Sequence, residues 1–279
     1  MPFRYWLVSV VILIAAPVDA EQRKTPPGNE VDLQLVLAVD VSGSVDDQEA
    51  ILQRSGYIAA ITDPAVIKAI TSGILGRIAV TYFEWAGEGW HEPVTGWRVI
   101  DDAKSATNYA ALLRKTSPGK GPWTSISDAI DHGVALIENS PFKGLRKVID
   151  ISGDGPNNTG GLVVPARDAA IAKRITINGL PIINERLNFG RTPMANLDLY
   201  YRHCVIGGPR AFMIVANGFK DFARAVKRKL ILEIADNTRA IDPIRSSGLA
   251  QTGNRSSGSR WIPPCDAGEK RFRGIIDDE

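Results

Sequence analysis

The sequence predicts an α/β protein whose mostly parallel central sheet carries helices on both faces. Three apolar runs rich in β-branched residues predict strands, at residues 33–39, 77–85 and 145–151. Segments with apolar residues at helical spacing separate these runs. A short apolar run that ends at a Gly, Ser or Asp turn is typical of a strand buried on both faces, and strands that alternate with helices usually pair in parallel.

Local signals predict the remaining elements of the first half of the chain. A helix over 47–61 ends before Asp63-Pro64, because the residue before a proline avoids helical backbone. Residues 66–70 predict a helical turn, and residues 96–100 predict a short strand that suits the edge of the sheet. Residues 101–116 have apolar side chains at helical spacing and predict a further helix.

The second half of the chain continues the alternation. A loop rich in glycine and proline precedes a predicted helix over 126–138 that has one apolar stripe. After the third strand we expect a helix, a strand, a short helix, a strand and a helix, at 165–174, within 175–183, and at 196–202, 212–215 and 219–234. From residue 239 Ser, Gly, Arg and Pro dominate without periodicity, which predicts a mostly irregular extension over 239–279.

Residues 1–20 have the pattern of a secretory signal peptide. Arg4 precedes an apolar run over 5–16, and the small residues before Glu21 suit cleavage after Ala20. The run is shorter than the roughly 20 apolar residues that span a bilayer, so we expect no transmembrane anchor once the signal is removed. The mature chain is then expected to be periplasmic or secreted, and the polar residues 21–30 predict a leader.

The charge balance excludes one class of partner, and the cysteine count predicts a cross-link. The chain has 33 Lys and Arg against 31 Asp and Glu, without a basic block, so we expect no nucleic-acid binding. Neither property indicates an oligomeric state. In an exported protein the two cysteines, Cys204 and Cys265, predict a disulfide that tethers the extension to the body. Two unpaired thiols are the alternative.

Side chains that carry oxygen follow two predicted strands and precede a predicted helix. Asp40, Ser42 and Ser44 come after the first strand, Thr124 lies before a helix, and Asp154 follows the third strand. Ligands of open parallel sheets bind at the carboxyl ends of the strands, so we expect these side chains to meet. Two carboxylates and three hydroxyls suit Mg²⁺, Mn²⁺ or Ca²⁺ and suit zinc poorly. Ordinary turn and helix-cap residues are the alternative interpretation.

These residues resemble the metal-ion-dependent adhesion site of von Willebrand factor A (vWA) domains. The complete Asp-x-Ser-x-Ser element at 40–44 is followed by Thr124 and by Asp154-Gly155, in the order of that site. The later aspartate of these domains usually sits in Thr-Asp-Gly or Ser-Asp-Gly, whereas this chain has Ser-Gly-Asp-Gly at 152–155. The chain also resembles a bacterial group of exported vWA-like proteins of unknown function, through the stretches 200–209 and 228–234.

The resemblance implies a vWA-like domain over 31–238, with a doubly wound sheet in the order 3-2-1-4-5-6 and one short antiparallel edge strand. It implies that the three hydroxyls contact Mg²⁺, or Mn²⁺ or Ca²⁺, directly, and that one or both of Asp40 and Asp154 act directly or through water. An acidic side chain of a protein partner would then bind at the open metal position. The resemblance therefore implies that this chain is a binding module without catalytic activity.

Two other functions remain open at this point. A phosphatase-like hydrolase would use Asp40 as its nucleophile, with Asp154 and Mg²⁺ beside it, but Ser42 stands where such enzymes carry a general acid. Sequence motifs for dinucleotides, for nucleoside triphosphates and for a nucleophilic serine are absent from the sequence. The third possibility is a metal-free scaffold in which the same residues only cap and turn the chain.

Several polar residues near these elements are interpreted as structural. Glu84 is expected to end a strand, Asn157-Asn158 to form a turn, and Asp128 to favour a helix start. The three histidines, His91, His132 and His203, lack the spacing of metal ligands on a helix or hairpin.

Overall fold

A computed structural model describes residues 28–184, 186, 192–235 and 261–276, with the backbone alone for 272–276. The predicted signal peptide and its cleavage site lie outside the described residues, as do most of the leader and most of the extension before residue 261. In the part of the chain that the structure describes, no helix is both long and apolar enough to cross a membrane.

A five-stranded sheet forms the centre of the molecule, in the order β3-β2-β1-β4-β5. Strand β1 (Glu30–Asp40) pairs in parallel with β2 (Ile78–Trp85) on one side and β4 (Lys143–Gly153) on the other. Strand β5 (Thr176–Pro181) extends the parallel pairing, and β3 (His91–Ile100) is antiparallel to β2. The predicted α/β fold with one antiparallel edge strand is confirmed.

Both edges of the sheet differ from the expectation. Strand β3 has ten residues and begins at His91, not at residue 96, because a tight turn brings the chain back directly after β2. At the other edge, residues 212–215 do not form a continuous strand. Met213 and Ala216 make single parallel bridges, and Pro181 in the neighbouring β5 lacks an N–H for the ladder.

Helices cover both faces because successive residues of β1 point to opposite sides. The odd-numbered residues 33–39 pack with α1 (Asp47–Ile61), α2 (Pro64–Thr71), α3 (Ala103–Leu113) and α7 (Phe222–Ile234). Val36 and Ala38 pack with α4 (Ile126–Glu138), α5 (Val163–Ala172) and α6 (Leu197–Tyr200), which continues as a π-helical turn, Tyr201–Val205. The sheet is therefore a buried layer that fixes where its strand ends lie.

The predicted bounds of α1 and α4 agree with the structure, and those of other helices shift at their caps. Asp63 caps α2 and Pro64 occupies its first turn, so a full helix forms where a turn was expected. Asp102 caps α3, which therefore begins two residues later than predicted. A short 3₁₀ turn, Phe219–Asp221, precedes α7.

The prediction of an irregular extension is wrong for its end, which contains α8 (Ala267–Ile276). Lys270 pairs with Asp266 one turn earlier, and the backbone N–H of Lys270 donates to the Asp266 carbonyl. The predicted disulfide between Cys204 and Cys265 is present and attaches this helix to the π-helical turn after α6. The sequence did not predict this helix because its average composition is polar.

Candidate metal site at the strand ends

Asp40 is the last residue of β1 and its side chain is fully buried. One carboxylate oxygen, Oδ1, accepts the backbone N–H of Ser42 at 2.7 Å, so the aspartate holds the turn that follows it. The Asp40 carbonyl accepts the Gln53 side chain from α1, and the Val41 carbonyl accepts the Gly121 N–H. The turn is thereby attached to α1 and to the loop before α4.

A chain of hydroxyls joins the first loop to the loop after β4. Ser42 Oγ lies 3.0 Å from Ser44 Oγ, and Ser44 Oγ donates to Asp154 Oδ1 at 2.5 Å. Ser44 and Asp154 are 110 residues apart in sequence, yet parallel pairing of β1 with β4 brings them together. Four of the five predicted site residues therefore form one connected group.

Thr124 completes the set from a third loop. Its backbone N–H donates to Asn158 Oδ1 at 2.9 Å, and its carbonyl accepts the Asn158 N–H at 2.9 Å. The residue before it, Trp123, has a positive φ of 58°, a strained backbone for a large side chain that tertiary contacts must hold. Thr124, Ser44 and Asp154 line the same cavity. The structure thus places all five predicted residues at one end of the sheet.

Position 153, between Ser152 and Asp154, requires glycine because of the close packing around it. A Cβ at Gly153 would lie 2.8 Å from Asp40 Oδ2 and 2.8 Å from the Tyr201 hydroxyl. Any larger residue would press on the site aspartate. The absence of a side chain at Gly153 therefore leaves the space in which Asp40 Oδ2 lies.

The sequence interpretation missed the role of Asn157 and Asn158, which do more than form a turn. Asn157 is fully buried, and its Oδ1 accepts the Ser127 N–H at 2.9 Å. Its Nδ2 donates to the Gly161 carbonyl and to Glu269 of α8. These bonds fix the loop that carries Asp154. Two adjacent asparagines after a strand end were the available signal, but their partners lie far away in sequence.

Glu84 and the histidines keep structural roles. Glu84 is buried, forms an ion pair with Arg54, and accepts the Gly119 N–H at 2.8 Å, so it anchors the glycine- and proline-rich loop. His91 lies 2.9 Å from Asp128, and its ring stacks on that of His132 at 4.2 Å between centroids. The sequence spacing did not predict that stacked pair.

The two site carboxyls are held in an environment that disfavours their charge. Burial, reinforced by the neighbouring Asp154, raises the pKa of Asp40 to about 8. Burial also raises the pKa of Asp154 to about 6, against the hydrogen bond from Ser44 and with the added repulsion of Glu49. No Lys or Arg side chain contacts either carboxyl among the described ion pairs and hydrogen bonds.

One observation tests whether a divalent cation fits this group. Asp40 Oδ2 is buried and has no hydrogen-bond partner within the described part of the molecule. Such an atom is costly unless a proton or a cation compensates it. The available ligand atoms are carboxylate and hydroxyl oxygens, and the described residues contain no group of three or more His, Cys, Asp or Glu side chains that could hold a metal ion by themselves. The residues present therefore fit a hard cation that accepts hydroxyl ligands.

Solved structures share this fold at low sequence identity. The pilus adhesin SpaC of Lactobacillus rhamnosus GG matches with a TM-score of 0.53 at 14% identity, over 75% of this chain and 31% of its own. Proximal thread matrix protein 1 of the mussel byssus, in a form with a zinc-occupied MIDAS motif (the metal-ion-dependent adhesion site), matches with a TM-score of 0.50 at 14% identity, over 73% and 46%.

A vWA protein of Catenulispora acidiphila matches with a TM-score of 0.50 at 13% identity, over 75% of this chain and 43% of its own. The chain thus spans less than half the length of these three proteins. No curated protein sequence matches it. The family model for the protein of unknown function DUF1194 matches residues 30–238. The chain therefore has a vWA-like fold and belongs to the DUF1194 family, whose function is unknown.

Proposed function

We propose that this protein is an exported binding module that holds a divalent cation at the strand ends and captures an acidic group of a protein partner. The observation that carries the proposal is the buried, unpartnered Oδ2 of Asp40 beside a second carboxyl, with no basic side chain among their described contacts. A cation there would compensate both carboxylates.

The hydroxyls of Ser42, Ser44 and Thr124 and the carboxylates of Asp40 and Asp154 would hold the metal. Neutral hydroxyl ligands leave the ion electrophilic, so it would attract a further carboxylate. Mg²⁺ prefers such oxygen ligands, with Mn²⁺ and Ca²⁺ as chemical alternatives. The zinc-occupied MIDAS motif of the mussel protein supports a divalent cation at this position in the fold, without identifying the metal of this chain.

Export is supported by the signal-peptide pattern and by the disulfide, since disulfides persist in oxidising compartments. A partner would approach through the cavity lined by Ser44, Thr124 and Asp154. This route suits a protruding acidic side chain, which can reach the open metal position from outside.

The two alternative functions have less support. A phosphatase nucleophile must reach its substrate, whereas Asp40 is fully buried and one of its oxygens already accepts the Ser42 N–H. A metal-free cap-and-turn network would have to keep a proton on the buried Asp40 carboxyl, whose Oδ2 has no hydrogen-bond partner among the described residues. Both alternatives make distinct experimental predictions.

The test is a calorimetric titration of Mg²⁺ and Mn²⁺ into chelator-stripped protein, with Asp40→Ala and a matched Asp47→Ala control. Asp47 is exposed and pairs only with Lys120 among its described ion-pair partners, so its loss should leave the site intact. We expect one binding event in the parent and in Asp47→Ala, and none in Asp40→Ala. Equal binding in all three would contradict the site. Turnover of a phosphate ester, lost in Asp40→Asn, would support the hydrolase instead.

A further inference from the structure

Helix α8 packs beside the candidate metal site. A Cβ at Gly268 of α8 would lie 1.9 Å from the Asn157 carbonyl oxygen, so the helix backbone packs directly on the loop that carries Asp154. Glu269 is buried and accepts the Asn157 side chain at 2.8 Å. The disulfide at Cys265 fixes the start of the helix. Helix α8 lies outside residues 30–238, which the family model matches.

Ser44, Thr124 and Asp154 of the site line a cavity of about 630 Å³, to which Gly268 and Arg271 of α8 contribute. That volume lies within the range of pockets that enclose a small ligand or a short segment of chain. Most of the exposed lining area is apolar, and Pro122, Trp123, Pro193 and Met194 contribute to it. Trp123 exposes 48% of its surface. A flat protein surface would not enter such a space.

One basic side chain of α8, Arg271, is positioned to bind a second acidic group of the ligand. Arg271 lines the cavity from α8, and its Nη2 donates to the Thr192 carbonyl at 2.7 Å. That bond orients the guanidinium, which has five N–H donors in total. Lys120 and Arg186 also line the cavity, but Lys120 pairs with Asp47. Arg186 pairs with Asp46 and Glu49, which line the cavity as well. Arg271 is therefore the basic side chain best suited to bind a carboxylate of the ligand.

We propose that the ligand is a short acidic segment of peptide chain with two carboxylates. One carboxylate completes the coordination of the metal, the other binds Arg271, and the backbone between them lies against the apolar walls. This inference rests on the proposed function, because it needs the metal for the first carboxylate. It adds a class of ligand to that function. It also adds a specificity residue, Arg271, that lies outside the residues matched by the family model.

The test measures binding of capped hexapeptides with two aspartates one, two or three positions apart, in the presence of Mg²⁺. Each peptide is compared with a partner in which asparagine replaces the second aspartate. For at least one spacing we expect the two-aspartate peptide to bind the parent about tenfold more tightly, as one charge-assisted contact allows. Arg271→Gln should reduce that preference to less than twofold.

Lys270→Gln is the matched control, because Lys270 is the neighbouring residue on α8, pairs with Asp266 and does not line the cavity. It should keep the tenfold preference. Equal binding of both peptides by the parent at every spacing, or a preference that survives Arg271→Gln, would overturn the proposal. Succinate that binds as tightly as the best peptide would also overturn it, in favour of a small dicarboxylate.

A parallel Mg²⁺ titration separates this inference from the proposed function. Arg271→Gln should bind Mg²⁺ as the parent does, which also shows that the variant is folded. If Mg²⁺ binds the parent but no peptide shows the preference, the ligand class is wrong and the metal site stands. If none of Mg²⁺, Mn²⁺ and Ca²⁺ binds the parent, the proposed function itself fails.

Discussion

Two groups of buried carboxyls lie at different levels of the same sheet, and they are neutralised differently. At the strand ends, Asp40 and Asp154 are surrounded by hydroxyls. In the core, Asp150 of β4 and Glu233 of α7 share the ammonium of Lys229, which lies 2.6 Å from Asp150 Oδ1 and 3.1 Å from Glu233 Oε1. All three side chains of the core group are fully buried.

The core group contains its own cation, Lys229. Two further features reduce the negative charge that its two carboxyls leave uncompensated. Asn178 donates to Glu233 at 2.6 Å. Burial raises the pKa of Asp150 to about 7, against the attraction of Lys229 and with the added repulsion of Glu233. In the site group Asp40 is fully buried and Asp154 nearly so, and neither has a described basic partner. On the proposed function, a cation from solution would take the place at the strand ends that Lys229 takes in the core.

The largest expected effect is on the pH dependence of stability without metal. Because the folded pKa of Asp40, about 8, exceeds the ordinary value of 3.8, the folded state keeps a proton that the unfolded state releases. The free energy of unfolding should therefore fall as pH rises from about 4 to 8, by on the order of 5 kcal/mol. Urea unfolding of the parent and Asp40→Asn in chelator isolates this contribution. A constant difference between the two across this range would contradict the account.

Replacing Lys229, the internal cation of the core group, should have the next largest effect on the free energy of unfolding. Lys229→Met leaves two buried carboxyls without their counter-charge, and we expect a loss of about 3–5 kcal/mol in the free energy of unfolding. The control is Lys227→Met on the same helix, because Lys227 is 45% exposed and pairs with Asp63 at the surface. That change should cost less than about 1 kcal/mol. Similar losses in both variants would remove the basis of the comparison.

Removing the disulfide should affect the site region and spare the core group. Cys204→Ser with Cys265→Ser frees α8, and the free energy of unfolding should fall by about 2–4 kcal/mol. Hydrogen exchange should accelerate in α8 and in residues 154–161, because Asn157 loses the support of Glu269. Exchange in β4 and α7 should stay slow relative to those segments. Uniform acceleration would show that the tether supports the whole domain.

The parts of the molecule that the sequence predicts well depend on neighbouring residues. Buried strands are continuous apolar runs, and α1 begins directly after its N-cap Asp46, whose capping box with Glu49 is complete within four residues. The Asp-x-Ser-x-Ser element is also contiguous. Local chemistry of this kind predicted the parallel sheet and placed Asp40, Ser42 and Ser44 at the end of β1.

The parts that escaped prediction depend on partners far away in the chain. Lys229 lies in a basic stretch that suggests a solvated face, and only the packing of α7 against β4 buries it beside Asp150. Helix α8 is polar and short, and its position depends on Cys204 and on Asn157. Spacing within one sequence cannot reveal such contacts.

We propose that the strand-end carboxyls of Asp40 and Asp154 bind a cation from solution. The most direct test is thermal unfolding of the parent and of Asp40→Asn at pH 7.5, each with excess chelator and with saturating Mg²⁺. We expect that Mg²⁺ at a hundred times its Kd stabilises the parent by about 2.7 kcal/mol and leaves Asp40→Asn unchanged. Equal responses of the two proteins, or no response of the parent to Mg²⁺, Mn²⁺ or Ca²⁺, would contradict it.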